Sequence, residues 1–281
     1  MKPRPATGRR LTNVVVSVLA SLSAVLGMAI LAWIVWVVLV RGLGAFDLAF
    51  FTHLPTPPGI EGGGLANAII GTLVMTLLAT LVAVPLGLLG GVYLAEFGQG
   101  SRLADNTRFS ANVLIGMPSI IIGVFAYALV VVPLGRFSAY AGITSLAIIM
   151  LPIAARTTED MLRLVPNTLR EAALALGAPR WRITLDIVFR AAKAGLLTGI
   201  LLAVARVSGE TAPLLFTALN SPYMMTSLGQ PTPNLTVTIF NYAMSPYHDW
   251  QQKAWGASLL ITFGVLALTL LTRYALGERK T

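Results

Sequence analysis

Two charged residues, Arg206 and Glu210, stand four apart inside an otherwise apolar run, Ala205-Arg206-Val-Ser-Gly209-Glu210-Thr211-Ala-Pro213. A charge near the centre of a bilayer costs at least about 2.5–3.5 kcal/mol, so such residues ordinarily face a polar cavity or a partner and mark a functional position. On a helix, this spacing puts both side chains on one face, where they partly neutralise each other. A guanidinium fork grips a tetrahedral oxyanion through two parallel hydrogen bonds. A carboxylate beside it accepts a hydrogen bond from a protonated oxyanion such as hydrogen phosphate and repels fully ionised sulfate. The chemistry on offer is selective anion handling; the plainer alternative is an ion pair that holds helices together. Gly209 leaves room for close approach, and Pro213 is expected to free the carbonyl of residue 209 and bend the helix.

A second polar island, Thr168-Leu-Arg170-Glu171-Ala172-Ala173-Leu-Ala-Leu-Gly177-Ala-Pro179-Arg-Trp181, lies between long apolar runs. Thr168 and Glu171 have the spacing of a capping box, so a helix is expected to start at Thr168. Strong helix formers follow, Gly177 can supply a left-handed turn and Pro179 cannot continue the helix, which therefore ends at about Leu176. Two turns are marginal alone in water, so the apolar face of Leu169, Ala172, Ala173 and Leu176 must pack against something.

Other chemistry lacks its residues. No Gly-Lys dipeptide occurs, so the phosphate loop of a nucleotide-binding domain is missing. No serine has the flanks of a nucleophile elbow. Cysteine is absent, and His53 and His248 stand apart from any acidic cluster, so neither disulfides nor a metal site is expected.

The elements that position the two islands are membrane helices. With 56% hydrophobic and 11% charged residues over 281 positions, the chain departs from soluble domains, where about a quarter of residues are charged. Val14 to Val40 runs 27 residues without a charge, long enough to span with some tilt. Further spans are expected at about 66–93, 113–134, 137–155, 187–215 and 254–271, giving an all-α polytopic membrane protein of six helices. Gly87 and Gly91 in the second have the spacing that lets membrane helices approach closely. Residues 41–64, rich in Pro and Gly, are expected to lack regular structure, 96–108 to form a polar loop, and 218–253 a long polar loop. With the N-terminus inside, 16 of the 20 Lys and Arg residues fall on the cytoplasmic side and 3 outside, with Arg206 in a span. That asymmetry follows the positive-inside rule and puts both termini and the Glu171 helix in the cytoplasm.

The order Glu171-Ala172-Ala173, three residues, Gly177, then Ile187 and Phe189 resembles the EAA loop of ABC importer permeases, the helix that couples to an ATPase subunit; Arg190 stands where that pattern has Pro. Glu61-Gly-Gly-Gly-Leu-Ala-Asn67, Gly116-Met-Pro-Ser-Ile120, Leu164-Val-Pro-Asn-Thr-Leu-Arg-Glu-Ala-Ala173, Arg206-Val-Ser-Gly-Glu-Thr-Ala-Pro-Leu-Leu-Phe-Thr-Ala218 and Asp249-Trp-Gln-Gln252 resemble the PstA-type permeases of phosphate ABC importers. The resemblance implies the type I ABC importer permease fold: residues 1–65 form the N-terminus, first helix and external loop, 66–275 the permease domain with its coupling helix at about 166–180, and 276–281 a cytoplasmic tail. It also implies an inner-membrane permease that is not itself an enzyme. It carries substrate translocation over to Arg206 and Glu210, with Thr211 completing the pattern, and ATPase coupling to Arg170, Glu171, Ala172, Ala173 and Gly177. The implied partners are a PstC-type permease subunit, an ATPase dimer, an external phosphate-binding protein, inorganic phosphate and the lipid bilayer, with no nucleic acid. No cofactor is expected in this chain, ATP and Mg being used by the ATPase.

Three alternatives compete: a permease for another oxyanion such as sulfate or molybdate, an ion-driven secondary transporter using Arg206 and Glu210 as a proton relay, and a purely structural membrane subunit. The second requires inverted repeats, which the sequence does not display. The third leaves the intramembrane charges without a task.

Overall fold

The computed structural model describes residues 6–277, and the regular elements among the described residues are helices joined by turns and loops, with one isolated bridge between Pro55 and Gly63. Lys2, Arg4, Arg279 and Lys280, and the last four residues of the expected tail, lie outside these residues. The helices are α1 (Ala6–Leu43), α2 (Leu48–Thr52), α3 (Ala66–Val92), α4 (Arg102–Gly116), α5 (Ser119–Ala126), α6 (Ala139–Arg163), α7 (Asn167–Ala175), α8 (Phe189–Ser208), α9 (Ala212–Leu215), α10 (Leu235–Ala243) and α11 (His248–Gly277). A π-helical turn extends α3 to Phe97, another continues α5 towards Leu134, and a third joins Arg180–Arg182 to α8.

Five helical stretches are long and apolar enough to cross a membrane: Arg10–Leu43, Ala66–Phe97, Ala139–Arg163, Arg180–Ser208 and His248–Leu270. The third expected span, 113–134, is instead part of a bent pair. α4 and the α5 stretch meet at 104° across Met117–Pro118, because the extended backbone that Pro118 imposes on its neighbour stops α4 at Gly116. The expected polar loop 96–108 is thus largely helix: α3 runs on to Phe97 and α4 begins at Arg102.

Small residues set the packing at the centre. Gly87 lies against Ala154 of α6, where a Cβ would come within 2.6 Å of the alanine Cβ, and Gly91 lies against Thr158. These contacts rise together along both chains, so α3 and α6 run parallel. Gly195 and Gly199 of α8 meet Met161 and Thr157, in descending order, so α8 runs antiparallel to α6. Met75, Ala79, Ala83, Leu146, Ile149, Met150, Ala203 and Val207 form the core between these three helices. The α1 helix stands largely apart. It is fastened near its end, where Gly42 abuts Leu259 and Trp255 of α11 and the Arg41 guanidinium lies 5.1 Å from the Trp255 ring centre.

Two expected loops are ordered. Residues 41–64 contain α2, capped by Asp47 accepting from the Phe50 N–H at 2.6 Å, and Lys253 donates to the Gly62 carbonyl and to Asp249. The stretch 218–253 contains α10 and the start of α11, and Thr232, Asn234, Thr236 and Thr238 in it are buried. Its threonine-rich, β-branched run hides the helix from a reading by propensity; Asn234, which caps α10 by accepting from the Val237 N–H at 2.9 Å, was the signal.

Candidate functional site

The helix carrying Arg206 ends at Ser208, earlier than the expected span. Gly209 closes it (φ −94°, ψ 1°), with its N–H donating to the Arg206 carbonyl at 3.3 Å, and the Glu210 N–H donates to Val207 at 3.1 Å. Pro213 therefore does not bend the helix. It sits in the first turn of α9, where its missing N–H leaves no helical bond unmade. Thr211, expected to complete the charged pattern, is the residue before α9, and its carbonyl accepts the Leu214 and Leu215 N–H groups. The Arg180–Ser208 span has its midpoint at residue 194, so Arg206 lies about 18 Å beyond it at 1.5 Å per residue, in the last turn and not near the centre of the helix. A cation in that position is favoured by the helix dipole.

The two charges meet loosely. Arg206 Nε stands 4.0 Å from Glu210 Oε1, well beyond the 2.7–2.9 Å of a charge-assisted hydrogen bond, and the arginine side chain is 56% exposed against 14% for the glutamate. The fork is open on the face α8 turns away from the core, while the carboxylate sits in a sheltered recess. Among the described residues Arg206 is its one ion-pair partner.

At the opposite end of the bundle stands α7. It starts at Asn167 behind Pro166, and no side chain caps it, so the expected capping box of Thr168 and Glu171 does not form: with Pro166 as the boundary residue, Thr168 already lies inside the first turn. The other end follows the sequence. Gly177 has φ +78°, its N–H donates to Leu174 at 2.9 Å, and the Ala178 N–H reaches Ala173 at 3.1 Å, the paired bonds of a Schellman ending. The expected packing face is mostly open. Ala173 is buried, but Leu169, Ala172 and Leu176 are exposed, Leu176 at 88%. Glu171 is exposed as well.

Arg170 points the other way. Its guanidinium donates to Glu96 on the α3 extension at 2.7 Å and to the carbonyls of Leu162 at 2.8 Å and Val165 at 2.5 Å. It fastens α7 to the bundle and leaves Glu171, Leu174 and Leu176 outward. A cleft of about 300 Å³ opens beside this bond, lined by Glu96, Gln99, Arg170, Leu174, Arg180 and Thr184.

Sequence reading missed the ionic centre next to it. Glu159 is fully buried and is bound by Arg108 of α4 at 2.7 Å, by Arg163 at 2.8 Å and by Arg156. The spacing Arg156, Glu159, Arg163 on one helical face carried the signal. Arg108 also donates to the Leu94 carbonyl at 2.8 Å, so α3, α4 and α6 share one knot. At the Arg206 end of the bundle, a groove of about 570 Å³ lies between Pro55, Pro57, Asn220, Tyr223, Tyr242 and Trp250. Tyr242 stacks on Trp250 at 4.2 Å, and burial, aided by the Asp249 charge, pushes its phenol up to about 12, so it stays neutral.

A multi-pass bundle with a short, outward-facing helix at one end and an open arginine fork at the other has the build of a transport permease. The profile for "Binding-protein-dependent transport system inner membrane component" matches residues 83–276. A chain of the MetNI methionine ABC transporter in an inward-facing conformation superposes with a TM-score of 0.64 at 20% identity, covering 76% of this chain and 95% of that one, and shares its fold. "Phosphate transport system permease protein PstA" of Yersinia pestis is 47% identical over 272 residues, covering 97% of this chain and 92% of the relative. The protein of the same name from Haemophilus influenzae is 46% identical, covering 97% and 96%. The chain belongs to the PstA-type permeases within the binding-protein-dependent transport inner membrane components. It is a membrane component of an ABC importer, a family that works with an ATPase and a substrate-binding protein.

Proposed function

We propose that this chain forms half of the phosphate path of an ATP-driven importer, pairing with a PstC-type permease, receiving inorganic phosphate from an external binding protein and docking its α7 helix on an ATPase dimer that uses ATP and Mg. The observation that carries this reading is the open Arg206 fork with the sheltered Glu210 carboxylate 4.0 Å away, in a chain 47% identical to a phosphate permease. Arg206 takes the oxyanion, Glu210 accepts a hydrogen bond from its protonated form, and Thr211 sets the turn that follows. Both termini lie in the cytoplasm, as the charge asymmetry requires.

At the other end Glu171, Ala172 and the exposed leucines of α7 meet the ATPase, Gly177 ends the helix so that it can lie close, Ala173 seats it on the bundle, and Arg170 passes its movement on through Glu96. Uptake by the purified complex in proteoliposomes, measured with phosphate, sulfate and molybdate in turn, tests the reading. Phosphate uptake that needs internal ATP supports it. Nucleotide-independent uptake, or a preference for sulfate or molybdate, overturns it.

A further inference from the structure

The segment that leaves α8 carries Glu210 and reverses direction before α10, and both of its ends are held by one buried turn. After α8 stops at Ser208, the Glu210 carbonyl has no helical partner, and the Thr236 hydroxyl lies 2.9 Å from it. The same hydroxyl is 3.0 Å from Asn234 Oδ1, so its single proton is shared between two acceptors. At the far end Leu219 adopts φ +59°, a left-handed conformation that costs a leucine about 1–2 kcal/mol. Its carbonyl accepts from Asn234 Nδ2 at 3.2 Å, and the preceding Ala218 carbonyl accepts from the Thr232 N–H at 3.0 Å.

This turn is itself anchored on α3. The Leu235 N–H donates to Thr72 Oγ1 at 2.8 Å, and Gly71 lies so close beneath Pro233 that a Cβ there would strike its carbonyl oxygen. Thr232, Asn234 and Thr236 are all at most 5% exposed, so the contacts are made away from water. Arg206 stands 4.0 Å from the carboxylate, so the closer contact of residue 210 is the one made by its backbone carbonyl.

We propose that Thr236 and Asn234 are positioning residues for Glu210: Thr236 holds its carbonyl and Asn234 the carbonyl of Leu219, and the segment so tied to α3 keeps the carboxylate near, but not locked onto, the Arg206 fork, so that both remain available to a protonated oxyanion. The inference depends on the role given to Glu210 above. A helix cap alone does not account for it, since Asn234 caps α10 through Val237, while the contact with residue 210 is made by the Thr236 hydroxyl.

The test uses the complete reconstituted complex with saturating phosphate-loaded binding protein. Thr236→Val removes the hydroxyl and nearly keeps the shape. Phosphate moved per ATP hydrolysed is expected to fall about tenfold, with ATP hydrolysis and yield of assembled complex within twofold of the parent. Thr236→Ser is expected to restore the ratio to within twofold. In the Thr236→Val, Glu210→Gln double variant the loss should be no larger than in Glu210→Gln alone, because both changes act on one group. The inference is overturned if Glu210→Gln is impaired while Thr236→Val matches the parent, if the two losses multiply, or if Thr236→Val only lowers yield and Thr236→Ser fails to restore it. Parental coupling in Glu210→Gln would instead overturn the role of Glu210 itself.

Discussion

Arg108 donates through Nε to Glu159 across 2.7 Å, and this one bond joins the helix before the 104° elbow to the central helix of the bundle. Glu159 is fully buried among three arginines, so its removal takes away the counter-ion they share and leaves Arg108 with Asp105 and Arg156 with Asp160. Glu159→Ala is expected to destabilise the protein, by less than the ~3–5 kcal/mol that follows when a fully buried charge is left unpaired, because the arginines keep access to water and to Asp105 and Asp160. Thermal unfolding of the detergent-solubilised protein measures this, and an unchanged midpoint would show that the arginines find other partners.

Arg170 offers a sharper test of coupling than the exposed face of α7. Arg170→Ala cuts the bonds to Glu96, Leu162 and Val165 but leaves Glu171 and the outward leucines in place. The ATPase should still dock and hydrolyse ATP, while phosphate uptake falls at least tenfold. Parallel loss of both activities would mean that Arg170 serves docking and not transmission.

Gly177 combines φ +78° with open space around its Cα, so a side chain there meets strain and no clash. Gly177→Ala should cost about 1–2 kcal/mol locally and weaken coupling modestly; Gly177→Asp, which also obstructs the docking face, and Ala173→Arg, which forces a charge into the packing of α7 on the bundle, should nearly abolish uptake. Uptake and ATP hydrolysis in the same vesicles separate these outcomes.

The fork and the carboxylate make different demands of their variants. Arg206→Gln should remove phosphate uptake almost entirely, and Arg206→Lys should recover only part of it, since an ammonium keeps the charge and loses the planar pair of donors. Glu210→Gln should lower phosphate uptake and raise the ratio of sulfate to phosphate taken up. Parental rates in both Arg206→Gln and Glu210→Gln would leave the pair a structural one.

Topology is open to direct labelling because the chain contains no cysteine. Thr168 and Ser227 are both exposed. Cysteines placed at these positions should react with an impermeant reagent from opposite faces of the membrane, Thr168→Cys from the cytoplasm. Reaction of both from one face contradicts the six-crossing arrangement.

Apolar length and local backbone signals were legible in the sequence. The long spans, the approach of Gly87 and Gly91 to α6 and the left-handed Gly177 all follow from residue type and spacing. What escaped depended on distant partners. The α4 helix reads as a polar loop because Arg108 is counted as a solvated charge until Glu159, far along the chain, is seen to neutralise it. The α10 helix reads as loop because its threonines donate to the Glu210 and Asn234 carbonyls and its first N–H, of Leu235, donates to Thr72, which no local pattern reveals. The capping box failed for a local reason: Pro166 started the helix before Thr168 could cap it.

The first helix has a consequence for the order of assembly. Its apolar stretch asks nothing of the rest of the bundle, so the translocon can release it into lipid as soon as it emerges. Its clasp, Gly42 against Leu259, awaits a residue made 217 positions later. Until then the first helix is a passenger of the membrane and not of the protein, and a bulky residue at Gly42 should leave insertion intact while blocking the docking of the first helix on α11.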